Sequence, residues 1–204
     1  MRDGKTGEQI VDHADDLFYR QGFEATSFAD IAAAVGISRG NFYYHFKTKD
    51  EILAAVIEAR IADTQAMIAA WETETEDPEA RIRCYIHILL DHQSDIMAHG
   101  CPVGTLTSEL AKLNHQAQGA ANGLFTQLRD WLRLQFEALG SGVEADRNAM
   151  RVLAWSQGVA TMANAYRDAE FVQHEVEQIS AWLAACARDS RARSNQSKPL
   201  IPET

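Results

Sequence analysis

Between residues 26 and 49 the chain reads TSFADIAAAVGISRGNFYYHFKTK, a run whose side chains suit the reading of a polyanion. Arg39 supplies a flat, multidentate donor of the kind that reads a guanine edge, and Asn41, Tyr43, Tyr44 and His45 add further hydrogen-bonding groups. Gly40 lets backbone approach a groove closely, at a helix-propensity cost of roughly 1 kcal/mol against alanine. Lys47, Thr48 and Lys49 follow where phosphates would run, adding affinity without sequence information.

Such groups act together only if two short helices hold them. Thr26 or Ser27 can cap a first helix, with Asp30 set against its positive end and Ile31, Ala32 and Val35 as its apolar face. Gly36 can take the left-handed conformation that closes it, and Ile37 can fill the space between the helices. Ser38 caps the second helix, whose Phe42 and Phe46 can face inward. Adjacent tyrosines cannot both point inward, so Tyr43 or Tyr44 is left for a partner.

The order SRGNFYYHFKTKDEIL, preceded by TSFADIAAAVGIS and by an amphipathic stretch with Ile10, Ala14, Leu17, Phe18 and Phe23, resembles the reading head of TetR/AcrR-family transcriptional regulators. The likeness covers about the first quarter of the chain. It implies that Ser27, Arg39, Gly40, Tyr43, Tyr44, His45 and Lys49 touch DNA, and it implies a homodimer on a palindromic operator. With Thr26, Ser38, Asn41 and Lys47 from the residue reading, these form the expected DNA-binding set.

A 204-residue chain that is 46% hydrophobic can bury a core, in one or two small domains. No run of about eighteen apolar residues is present and MRDGKTGEQ lacks a signal-peptide core, so a cytoplasmic protein away from the membrane is expected. The net charge of -10 is unusual for a DNA binder, yet residues 39 to 49 hold Arg39, Lys47 and Lys49 and no acid. A basic patch on an acidic body predicts weak non-specific binding with marked salt dependence.

Helical spacing continues almost throughout. Ile52, Leu53, Val56, Ile57 and Ile61 lead through Met67 and Ile68 to Trp71, and a loop containing Pro78 precedes a helix expected from about Glu79 to Ala98. After the Gly-Cys-Pro-Val-Gly break at 100 to 104, helices are expected at 106 to 113 and about 118 to 139, then two more beyond Gly140-Ser141-Gly142. The fold class is all-α: an N-terminal three-helix helix-turn-helix domain (1–49), a larger helical ligand-binding and dimerisation domain (50–190), and a flexible tail (191–204). The last two helices, with small residues Gly158, Ala160, Ala163 and Ala165, are expected to form a four-helix bundle with a second subunit.

For the larger domain the expected small-molecule inducer site combines Trp71, Tyr85, Ile88, Met97, Phe125, Leu128 and Trp131, with Cys101 beside them. Cys84 and Cys186 lie in apolar rows and read as core, whereas Cys101 sits before Pro102 at a helix start that favours thiolate chemistry. The segment GCPVGTL also resembles the Gly-Cys-Leu-x-Gly-Asn-Leu pattern of a TetR-like subgroup that includes electrophile sensors, which raises covalent switching at Cys101 as an alternative. Pro102 and Thr105 depart from that pattern. The histidines 87, 92, 99 and 115 lack acid or thiol partners at metal-ligand spacing, so no metal and no cofactor is expected. Phosphate cradles, nucleophile elbows and His-Glu-x-x-His pairs are missing, so no catalytic residue is expected. A non-catalytic adaptor is the remaining class, and the Arg39 to Lys49 patch opposes it.

Overall fold

The computed structural model describes the backbone of residues 2–196 and the side chains of residues 5–192. As expected, the described chain is all-α: α1 (Arg2–Gln21), α2 (Phe28–Val35), α3 (Arg39–His45), α4 (Lys49–Glu74), α5 (Pro78–Asp91), α6 (Gln93–His99), α7 (Pro102–Lys112), α8 (Gln118–Ala138), a 3-10 turn (Gly142–Glu144), α9 (Ala145–Tyr166) and α10 (Ala169–Gln196). Two compact units emerge, one from residues 1–67 with 101–125, the other from 68–100 with 126–204. The stretch from 191 expected as a tail begins inside α10, and residues 197–204 lie outside the described residues.

In the first unit the apolar stripe of α1, Ile10, Ala14 and Phe18, meets Ile31 of α2, Phe42 of α3, Ile52, Leu53 and Val56 of α4, and Leu106 and Leu110 of α7. Burying a large aliphatic or aromatic side chain contributes about 1.5–3 kcal/mol, so this shared core fixes the three short helices that could not persist alone. Sequence spacing did not reveal one member of this unit. Arg60 of α4 is buried, and its guanidinium donates to Asp15 of α1 (Nε to Oδ1, 2.7 Å) and to the Pro102 carbonyl at the start of α7 (2.6 Å).

The second unit is built on Ile82, Ile86 and Leu89 of α5, Leu132 and Phe136 of α8, Val152 and Val159 of α9, and Val172, Val176 and Leu183 of α10. The single helix expected from Glu79 to Ala98 is two: it breaks at His92, whose φ of -111° and ψ of 22° leave the helical region, so α6 starts afresh at Gln93. No proline or glycine marks that break. The next helix begins four residues earlier than expected, because Pro102 occupies the first helical position, where its missing N–H costs nothing.

Arg60→Met keeps the buried stem but removes the hydrogen bonds to Asp15 and Pro102. It should cost about 2–3 kcal/mol of folding free energy. Thermal and denaturant melts will measure it, and an unchanged midpoint would show that the three-helix link is not stabilising.

Candidate nucleic-acid interface

The reading head begins with a reciprocal cap. The Ser27 hydroxyl accepts from the Asp30 N–H (3.2 Å), while the Asp30 carboxylate accepts from the Ser27 N–H (2.8 Å) and hydroxyl (2.6 Å). These bonds, led by the one from the Ser27 side chain, hold the Asp30 carboxyl below the ordinary aspartate value. Gly36 ends α2 at φ 74° and ψ 30°, donating to the Ala32 and Ala33 carbonyls, and Ile37 donates to Ala32 as well. That closure turns the chain into Ser38, whose hydroxyl accepts from the Asn41 N–H (3.3 Å) and starts α3.

Phe42, 1% exposed, is the one buried residue of α3, and it packs edge-on to Phe28 with ring centroids 5.3 Å apart. With that side inward, Arg39, Gly40, Asn41, Tyr43 and Tyr44 are all exposed. Both tyrosines are outward, at 45% and 66% exposure, one more than the sequence argument required. Ser27, Arg39 and Tyr43 come together around a hollow of about 290 Å³ between α2 and α3.

Other members of the expected set sit differently. Thr26 is 1% exposed, and its hydroxyl donates to the Gly22 carbonyl (2.7 Å) and accepts from Gln21 (3.2 Å), so it builds the loop before α2. His45 turns its ring toward α1: its Nε2 is buried with no hydrogen-bond partner among the described residues, and a Cβ at Gly7 would lie 3.7 Å from its Nδ1. Lys47 is exposed, with its ammonium on the Tyr43 carbonyl. The Lys49 ammonium is engaged by the carbonyls of Phe23 (3.0 Å), Glu24 (3.2 Å) and Thr26 (3.2 Å) and lies 4.4 Å from the centroid of the Phe23 ring. Sequence reasoning missed Glu109, whose carboxylate accepts from the N–H groups of Phe23 and Glu24. A partner 85 or more residues away leaves no local signal.

The residues expected around an inducer are divided between the units: Cys101 and Phe125 belong to the first, the others to the second. In the second, the rings of Trp71 and Trp131 are 5.3 Å apart, and the Trp131 N–H donates to Glu72 (3.0 Å). The Tyr85 hydroxyl is 2.8 Å from the Ser156 hydroxyl, which also lies 2.8 Å from the Leu153 carbonyl. Leu128 is buried and Ile88 and Met97 are half-buried. Cys101 caps α7, its Sγ accepting from the Gly104 N–H at 3.5 Å. The Cys84 thiol is pushed up by burial and by the nearby Glu74 carboxylate, which makes it a poor nucleophile.

A capped helix, a glycine turn and a second helix that presents Arg, Asn and Tyr define a helix-turn-helix nucleic-acid-binding protein. The chain belongs to the tetR family of bacterial regulatory proteins, which it matches over residues 10–56, and residues 60–178 match the C-terminal domain of LmrA/YxaF-like transcriptional regulators. It is similar to a helix-turn-helix transcriptional regulator in the lacX 3′ region of Lactococcus lactis subsp. lactis, 28% identical over 85% of this chain and 91% of that one. TtgR, a helix-turn-helix transcriptional regulator of Pseudomonas putida, is 27% identical over 76% of this chain and 78% of its own length. A crystal structure of a TetR transcriptional regulator from Legionella pneumophila matches with a TM-score of 0.75 and 25% identity, covering 84% of this chain and 95% of that one. The protein is therefore a DNA-binding transcriptional regulator. No described helix is long and apolar enough to cross a membrane.

Because the Asp30 carboxyl is depressed in the fold, its stabilising contribution is present above the unfolded aspartate value, about pH 4, and is lost as pH falls through the lower folded value. The stability advantage of wild type over Asp30→Asn should thus exist at neutral pH and shrink in acid. Denaturant melts from pH 7 downward test this, and a pH-independent difference would refute the cap's role.

Proposed function

We propose that the protein is a homodimeric repressor that reads a palindromic operator through α3 and is released by a small-molecule inducer held in its second unit. The observation that carries the DNA reading is the single buried residue of α3: with Phe42 inward, Arg39, Asn41, Tyr43 and Tyr44 form one outward face. Arg39 is the base reader and the tyrosines contact the backbone.

Support for the dimer comes from α9. Val152, Leu153, Ser156, Val159, Ala160 and Ala163 are buried, while Met150, Ala154, Gly158, Met162 and Tyr166 form an exposed row of apolar or small residues at every fourth position. Of the small residues expected at the dimer contact, Gly158 and Ala165 are exposed, and Ala160 and Ala163 belong to the subunit's own core. A twofold protein places its two recognition helices about one DNA turn, roughly 34 Å, apart, so the operator is a near palindrome.

The inducer reading takes the paired rings of Trp71 and Trp131, with Tyr85 as a further aromatic of the same unit, as contacts for a mostly apolar ligand with few polar anchors. A ligand there that prefers a wider spacing of the recognition helices by a few kcal/mol would empty the operator. Within this reading the segment from Gly100 to Leu106, for all its likeness to the Gly-Cys-Leu-x-Gly-Asn-Leu pattern, supplies the capped start of α7, since Cys101 acts as its N-cap.

Arg39→Ala should lose about 1–3 kcal/mol of discrimination at one base-pair position while retaining binding to random DNA. Binding to a panel of operator variants measures it, and equal losses on operator and random duplex would contradict the assignment. A Cβ added at Gly158 meets nothing within 4 Å and the position is exposed, so Gly158→Leu should leave the subunit folded and weaken only dimerisation. Sedimentation will show a shift toward monomer with an unchanged helical spectrum, and a dimer as tight as wild type would remove α9 from the interface.

A further inference from the structure

The loop joining α1 to α2 is gripped on both of its hydrogen-bonding edges. On one side the Glu109 carboxylate of α7 accepts from the N–H groups of Phe23 (2.9 Å) and Glu24 (2.8 Å). On the other, the Lys49 ammonium at the start of α4 donates to the carbonyls of Phe23, Glu24 and Thr26 and rests on the Phe23 ring. An anion takes the donors and a cation takes the acceptors of the same few peptide groups, and charge-assisted bonds of this kind are about twice as strong as neutral ones.

Two further features fit the chain to this grip. Gly22 has φ of 95°, and a Cβ there would come within 3.1 Å of one Glu109 oxygen and 3.3 Å of the other, so the carboxylate can reach the loop only over a glycine. The turn after α7 also holds the start of α4: Gln116 donates to Asp50 (3.0 Å), and His115 Nε2 lies 3.4 Å from the same carboxylate while its ring meets the edge of Phe23. The loop leads through Thr26 directly into Ser27, the cap of α2, so its position sets the entry of the reading head.

We propose that Glu109 and Lys49 are positioning residues for DNA binding: together they hold the α1–α2 loop, and through it α2 and α3, in the geometry that fits the operator. Lys49 acts on this loop and not on phosphate. A displacement of α7 by as little as the length of a hydrogen bond releases the Phe23 and Glu24 amides, which makes Glu109 the point where α7 controls the reading head. This inference rests on the DNA-binding reading above.

The test uses the full chain as wild type, Glu109→Gln, Lys49→Met and the double variant, on a duplex selected from a random pool by wild type. Each single variant should bind that duplex about tenfold more weakly, and the double should lose clearly less than the product of the two, because both act on one loop. The salt dependence should keep its wild-type slope, since no phosphate contact is lost. Hydrogen exchange at the Phe23 and Glu24 amides should accelerate in Glu109→Gln while the Phe42 amide stays protected. Wild-type affinity in Glu109→Gln, or losses that multiply to about a hundredfold, would overturn the shared grip. A slope reduced by about one in Lys49→Met would make Lys49 a phosphate contact and overturn its role here. If Glu109→Gln does not fold, the Lys49→Met slope and affinity decide alone. Failure of wild type to enrich any duplex would instead sink the DNA-binding reading itself, a result distinct from all of these.

Discussion

Seven residues are too few to sustain a helix in water, and α3 includes a glycine among its seven. Its existence depends on one buried ring, Phe42, and on the cap at Ser38. The other side chains from Arg39 to Tyr44 are exposed, with Tyr43 still beside the Phe28 ring, so the helix buries little of its own surface. The surrounding architecture follows from that constraint. The core of the first unit, from Ile10 in α1 to Leu110 in α7, forms a socket around Phe42 and Ile31, and the exposed face of α3 is what remains once the socket is filled.

What could be read in the chain was what it encodes within a few residues. The cap at Ser38, the left-handed Gly36 and the inward Phe42 are local chemistry and stand where the residue types place them, and of Thr26 and Ser27, either of which could cap α2, Ser27 does so. Groups whose partners lie far along the chain were not legible. Lys49 is expected at a phosphate from its place in the chain, and nothing local announced that its ammonium is held by carbonyls 23 to 26 positions earlier. Arg60, Asp15 and Pro102 meet only because three helices pack, and nothing in their spacing announces it. The break at His92 lacks both proline and glycine, so a continuous apolar period concealed it. Inducer contacts are hardest of all to read, since a buried ring such as Trp131 would serve core packing or ligand binding with the same chemistry.

Charge is organised on the same local scale. The whole chain carries -10, but within the reading head the acids are occupied: Asp30 by Ser27, Glu51 by the Lys47 N–H and Asp50 by Gln116. Arg39 and Lys47 therefore project from a surface whose negative groups are already engaged in holding helix ends. The remaining acidity elsewhere on the chain opposes non-specific attraction to a polyanion.

The exposed row on α9 carries a geometric consequence. Residues 150, 154, 158, 162 and 166 form a ridge of the i±4n type, which runs obliquely across a helix by about 26°. If α9 makes the proposed twofold contact and this ridge interdigitates with its copy, the axes would cross at about 50°, steeper than the roughly 20° of an up-and-down bundle. Gly158 is the midpoint of the ridge. At a steep crossing only the central turn brings two backbones close, and in the proposed dimer the residue there would be the one without a side chain. In the proposed dimer Met150 and Tyr166 would lie at the two ends of the ridge, where crossing helices diverge and leave room for bulk.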